Sequence, residues 1–74
     1  MKEFAIIRKW ENGYSETKFV KAKSLKAAWI ENVDKPLPTR RQNYKGADRS
    51  GTYYYSDWVL GVWTCVEEIK GGVL

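Results

Sequence analysis

The chain predicts an α+β fold, a small antiparallel β-sheet in the order β-β-α-β-β with one helix packed on one face. Three observations carry this reading. Asn12-Gly13, the strongest short hairpin signal, separates two runs in which apolar and polar residues alternate. Leu25, Ala28 and Trp29 then recur at helical spacing between a capping serine and two prolines. Two strand-forming runs follow, one with Tyr53, Tyr54 and Tyr55 and one from Trp58 to Ile69.

In the first strand Phe4, Ile6 and Trp10 share one face, interrupted by Arg8, and Ala5, Ile7 and Lys9 share the other. A two-residue type I′ turn at Asn12-Gly13 starts the second strand at Tyr14 and carries it to about Ala22. That turn sets Ile6 opposite Phe19, Ala5 opposite Val20, Arg8 opposite Thr17 and Lys9 opposite Glu16. Ser24 is placed to cap the helix that follows, although Ala27 denies it the reciprocal half of a capping box. A helix of about ten residues buries Leu25, Ala28, Trp29 and then Asn32 or Val33, and Pro36 and Pro38 close it. Phe19 and Trp29 are expected in the core, where truncation of either to alanine costs about 3 kcal/mol.

Residues 34–50 read as a long basic loop, with only Leu37, Tyr44 and Ala47 as apolar or aromatic content. After Tyr55 the pattern breaks at Ser56-Asp57. Two strands joined near Asp57 are expected, with one long strand kinked at Gly61 as the competing reading. In that final run Trp58, Leu60, Val62 and Val66 share one face, opposite Val59, Trp63 and Cys65. Residues 71–74, opening with Gly71-Gly72, read as a frayed tail. The order of the strands across the sheet stays open.

At 74 residues and 8.6 kDa the chain is expected to form a single domain over 1–74. It has no histidine, so the commonest general base and metal ligand is missing and Ser-His-Asp or Cys-His arrangements are impossible. One cysteine, Cys65, allows neither an internal disulfide nor a tetrahedral zinc site, and it reads as a packed, inert thiol. Glu67 and Glu68 are adjacent on a strand, point to opposite faces and cannot converge on one substrate atom. Gly46 and Gly51 flank Ala-Asp-Arg-Ser without the lysine and hydroxyl residue that a phosphate-binding loop needs. No enzymatic activity, cofactor or metal is therefore expected. The apolar run Phe4–Ile7 is too short for a secretory signal, which points to the cytoplasm.

The net charge of +4 is unevenly spread. Residues 1–33 hold seven cations against four acids, residues 34–50 five against two, and residues 51–74 one against three. In the middle segment Lys35, Arg40, Arg41, Lys45 and Arg49 are interleaved with Gln42, Asn43 and Tyr44. Cations can hold phosphates, amides can bond base edges, and a tyrosine can stack on a base. Alternation turns Tyr54 opposite to Tyr53 and Tyr55, so at least one of the three lies on the face without the helix, where Trp63 and Tyr14 extend an aromatic patch. The candidate binding residues are thus Lys35, Arg40, Arg41, Tyr44, Lys45, Arg49 and Tyr54. Lys18, Lys21, Lys23 and Lys26 read as a solvated strand edge whose charge resists edge-to-edge pairing.

Over residues 1–30, Ile6-Ile7 in a strand, a polar hairpin, and Ala22-Lys23-Ser24-Leu25 leading to Ala28 resemble the opening of very small phage-encoded inhibitors of CRISPR surveillance complexes. The resemblance implies a lone non-enzymatic protein that binds a nucleoprotein machine and blocks its target site or nucleic-acid channel. Inhibitors of this kind that imitate DNA are acidic, whereas this chain is basic. The function expected is that of a small phage or mobile-element binding protein occupying a surface of a host nucleic-acid-handling complex. The alternative is an accessory protein that binds DNA or RNA directly, without sequence preference, through residues 35–49. A third class is a structural module that pairs a free sheet edge. Expected partners are a host protein or nucleoprotein complex and no membrane, the chain itself being a monomer or weak homodimer.

Overall fold

Strands β1 (Lys2–Trp10) and β2 (Ser15–Ala22) form the expected hairpin, but three residues make the turn where two were predicted. Residues 1–43 and 53–69 are described by the computed structural model. The Trp10 N–H donates to the Tyr14 carbonyl at 2.8 Å and the Gly13 N–H to the Trp10 carbonyl at 3.0 Å, with Gly13 at φ 93°. This is a type I turn over Glu11-Asn12 followed by a left-handed glycine, the usual three-residue hairpin loop. Asn12 Oδ1 accepts from the Tyr14 N–H at 3.0 Å, and the Glu11 N–H donates to the Gly61 carbonyl at 3.2 Å. The Asn-Gly pair thus occupies the last two positions of the loop.

One extra loop residue slips the register by one. Ala5 faces Phe19, Ile6 faces Lys18, Ile7 faces Thr17, Arg8 faces Glu16 and Lys9 faces Ser15. Because side chains alternate with period two, the slip moves β2's whole set to the opposite face. Val20 and Ala22 reach the helix side, and Phe19 lies on the other face, 65% exposed, so its expected core role is corrected. The ion pair falls on Arg8 and Glu16, 3.5 Å apart, instead of Lys9 and Glu16.

Helix α1 (Leu25–Asn32) is eight residues long and starts as read. Ser24 is extended at φ −155°, ψ 167°, and its hydroxyl accepts from the Ala27 N–H at 3.1 Å. The helix stops at Asn32, about two residues short of expectation, and the extended Val33 sends its N–H to the Trp29 carbonyl at 2.8 Å. Asn32 lends its carbonyl to Arg8 Nη2 at 3.4 Å, which sets a cation at the negative end of the helix. Phe4, Ile6, Ala22, Ala28, Trp29, Val33 and Val66 form the core, with Val20, Leu25, Ala27, Leu37 and Tyr55 packed against it. Trp29 meets Tyr55 edge-on at 6.2 Å between ring centroids.

After the helix the chain contributes the two-residue β3 (Gln42–Asn43), then β4 (Tyr53–Val59) and β5 (Val62–Ile69). The last two are separate strands, as preferred, but the turn between them is Leu60-Gly61 and not Ser56-Asp57. Both turn residues have positive φ, 54° and 76°, the type I′ geometry. Asp57 lies within β4, opposite Thr64. Moving the turn also regroups the faces: Trp58 pairs with Trp63, and Leu60 sits at the apex, 96% exposed. The sheet order is β2-β1-β5-β4-β3, with the described strand pairs all antiparallel. β3, inside the segment read as loop, pairs Gln42 with Tyr54 and Asn43 with Tyr53. The expectations for residues 44–50 and 71–74 lie outside the described residues.

Candidate partner-binding surface

The register places one coherent set of side chains on the face turned away from α1. Since Phe4, Ile6, Val66 and Tyr55 point to the helix, alternation sends Ala5, Ile7, Phe19, Trp63, Cys65, Tyr54 and Trp58 to the other side. Among the described residues no helix or strand covers this face. Small residues, Ala5 and Cys65, form its floor and are buried between larger neighbours. Phe19 at 65% exposure and Trp58 at 58% stand at opposite sides of it. Trp63 lies beside Trp58 in register, and the Lys9 ammonium sits 5.4 Å from its ring centroid.

At the β3 edge of the sheet the chain turns basic, on the side of Tyr53 and Tyr55. Arg40 and Arg41 are exposed, and the Arg41 guanidinium lies 3.9 Å from the Tyr53 ring centroid, a stacked cation–π contact. Tyr54, half-buried and opposite in direction to Tyr53 and Tyr55, lies on the open face and donates its hydroxyl to Gln42 Oε1 at 2.9 Å. The residues predicted to bind therefore divide. Arg41 and Tyr54 lie near β3 and β4 but on opposite faces, since Tyr53, which Arg41 covers, shares the helix side with Tyr55. Arg40 is exposed just before β3, and Tyr44, Lys45 and Arg49 lie outside the described residues. Tyr14 packs on Trp10, 5.1 Å between centroids, at the hairpin end and not beside Trp63.

Lys35 sits elsewhere, and its ammonium is taken up inside the fold. It donates to Thr64 Oγ1 at 2.9 Å, to the Val62 carbonyl at 3.3 Å and to Asp57 Oδ1 at 3.3 Å, which fills its three donors. Its own carbonyl accepts the Trp29 indole N–H at 3.0 Å. Lys35 thus ties the segment after the helix to β4 and β5.

Phe19 and Trp58 are surface residues that sequence reasoning assigned elsewhere or passed over. A three-residue reading of the first turn would have exposed Phe19. For Trp58 the signal was its spacing of three from Tyr55, obscured by the turn placed at Asp57. Among the described residues there is no cavity and no cluster of three or more metal-ligating side chains. No helix among them is long and apolar enough to cross a membrane. Comparison with protein-family profiles, with curated proteins and with solved structures finds no match for this chain.

Proposed function

We propose that this chain is a non-enzymatic binding protein that works in the cytoplasm by occupying a surface of a host nucleic-acid-handling complex. The small phage-encoded CRISPR inhibitors that it resembles over residues 1–30 act in that way. The observation that carries the reading is the aromatic sheet face, on which Phe19 and Trp58 are more than half exposed. Burying such rings against a partner gains about 25 cal/mol per Å² of apolar area, and aromatic residues anchor protein interfaces. Arg40 and Arg41, at the β3 edge of the same sheet, add donors suited to carboxylates or phosphates.

The second reading is direct nucleic-acid binding, favoured by the Arg41–Tyr53 stack at the basic corner. Here Arg40, Arg41, Lys45 and Arg49 neutralise phosphates and Tyr44 stacks on a base. Two measurements separate the readings. Fluorescence anisotropy with labelled single-stranded DNA, duplex DNA and RNA across a salt series should show no binding under the first reading. Under the second, affinity falls with a log–log slope of about 3 to 4, that of four neutralised phosphates. Tagged protein carried through nuclease-treated host lysate should retain a nucleic-acid-handling complex under the first reading and lose it in the Phe19→Glu/Trp58→Glu variant. Retention of nothing, with no nucleic-acid binding at low salt, would defeat both.

A further inference from the structure

The edge of the sheet farthest from Arg40 and Arg41 has the marks of a second docking site. Among the described residues β2 is the outermost strand, eight residues long and bonded to β1 alone. The Trp10–Tyr14 bond makes that pair a hydrogen-bonded one, so with antiparallel alternation the 8–16, 6–18 and 4–20 pairs are hydrogen-bonded too. The N–H and C=O groups of Ser15, Thr17, Phe19 and Lys21 consequently point away from the sheet. Among the described residues no loop or cap returns a backbone hydrogen bond to them.

Natural sheets blunt such an edge with short strands, bulges or charge. β2 uses charge, and of one sign. Its acid, Glu16, is engaged by Arg8. Lys18, Lys21 and the following Lys23 are exposed and make no ion pair among the described residues. Between Lys18 and Lys21 sits Phe19, an exposed ring where an edge would be expected to carry a polar residue. A second copy would bring together two strands that each carry net positive charge, which repels. Against an acidic segment the same residues attract, the ring gains an apolar neighbour, and the outward backbone groups find partners.

We infer that β2 is a strand-addition site for an acidic extended segment of a partner protein, held antiparallel with acids opposite Lys18, Lys21 and Lys23 and an apolar side chain opposite Phe19. The site lies at the far edge of the sheet from the basic corner and shares Phe19 with the aromatic face, but its lysines and outward backbone groups belong to the edge alone, and the tests below read those. The lysine spacing dictates the ligand: read from its N-terminus, an antiparallel strand needs Glu-Thr-Glu-Val-Ile-Glu opposite Lys23 through Lys18. The probe is that hexapeptide core with threonine flanks, blocked ends and a fluorescent label, added to the full chain.

Three readouts test it. Anisotropy should show binding that weakens about tenfold or more in Lys18→Glu/Lys21→Glu and in a peptide with lysines for the glutamates. Hydrogen exchange should slow on peptide addition at Thr17, Phe19 and Lys21, but not at Lys18 and Val20, whose amides already face β1. N-methylation of the peptide residues whose amides face β2 should abolish binding, while methylation of the alternate residues leaves it intact, a pattern that needs no change to the protein fold. No binding at about 1 mM peptide, equal effects of the two methylation patterns, or equal binding of the lysine peptide would overturn the proposal. A dimer in sedimentation equilibrium whose Thr17, Phe19 and Lys21 amides are already protected from exchange without peptide would also overturn it, by showing that a second copy occupies the edge.

Discussion

Replacing Lys35 with methionine keeps the length of the side chain and removes its charge and its three donors. Two of the three contacts are long, so the effect rests on what is left behind rather than on the bonds themselves. Thr64, wholly buried, loses the acceptor's partner at 2.9 Å, a loss of about 1–2 kcal/mol. Asp57 is left as a carboxylate whose side chain is 22% exposed, and its residual solvation keeps that part to about 1 kcal/mol. The variant should therefore be less stable by about 2–3 kcal/mol, a drop in midpoint of roughly 10–20 °C for a chain of this size. Urea unfolding followed by tryptophan fluorescence measures it, with Lys35→Met/Asp57→Asn completing a double-mutant cycle. The double variant should recover part of the loss, because it leaves no unpaired charge. A Lys35→Met change below about 0.5 kcal/mol, or zero coupling in the cycle, would show a solvated ammonium free to meet a partner and refute the clamp.

Trp29→Ala should cost about 3–5 kcal/mol, whereas Phe19→Ala should cost less than about 1 kcal/mol, and equal losses in denaturant melts would contradict the observed register. Leu60→Asn should raise stability by about 0.5–1 kcal/mol, since asparagine tolerates the left-handed turn position better than leucine; a loss would mean the Leu60 side chain makes contacts that matter. Gly61→Ala should lower stability by about 1 kcal/mol through its φ of 76°, because the Glu11 carboxylate end, 3.0 Å from the added methyl, is free to swing away. Arg40→Ala/Arg41→Ala should shift the thermal midpoint by only a few degrees, as solvated cations contribute little beyond the Tyr53 stack; a large fall would dock that segment on the fold.

What could be read from sequence was local. Ser24 capping, the Leu25–Trp29 stripe, a hairpin at Asn12-Gly13 and the turning of Tyr54 opposite to Tyr53 and Tyr55 each depend on neighbours in the chain, and each is present. What failed depends on distant partners. Two-residue and three-residue loops both suit Asn-Gly, and the three-residue loop sets the Glu11 N–H against Gly61, fifty residues on. Ser56-Asp57 has turn chemistry but lies in a strand because Lys35 meets the carboxylate there, and Leu60 has none yet makes the turn. Lys35 reads as a loop cation between Asp34 and Pro36, and only the folded chain shows it bonded to β4 and β5. For the candidate surface, this left Arg40, Arg41 and Tyr54 legible, whereas Phe19 and Trp58 emerged only with the register.

The position of β5 has a consequence for how the chain assembles. It is the last of the described strands in chain order, yet it lies in the middle of the sheet, joining Glu3 to Ile69 and Trp10 to Val62. Pairings of such long sequence separation are slow to close, so the hairpin of β1 and β2 exists during synthesis before its neighbour has left the ribosome. Until then the edge of β1, with Phe4 and Ile6 beside it, is bare, and the helix has only half a sheet to rest on. The lysines that guard β2 do nothing for that inner edge. A nascent chain stalled before Val62 would therefore be the aggregation-prone species, and a chaperone that binds extended apolar segments should bind it more tightly than the finished protein.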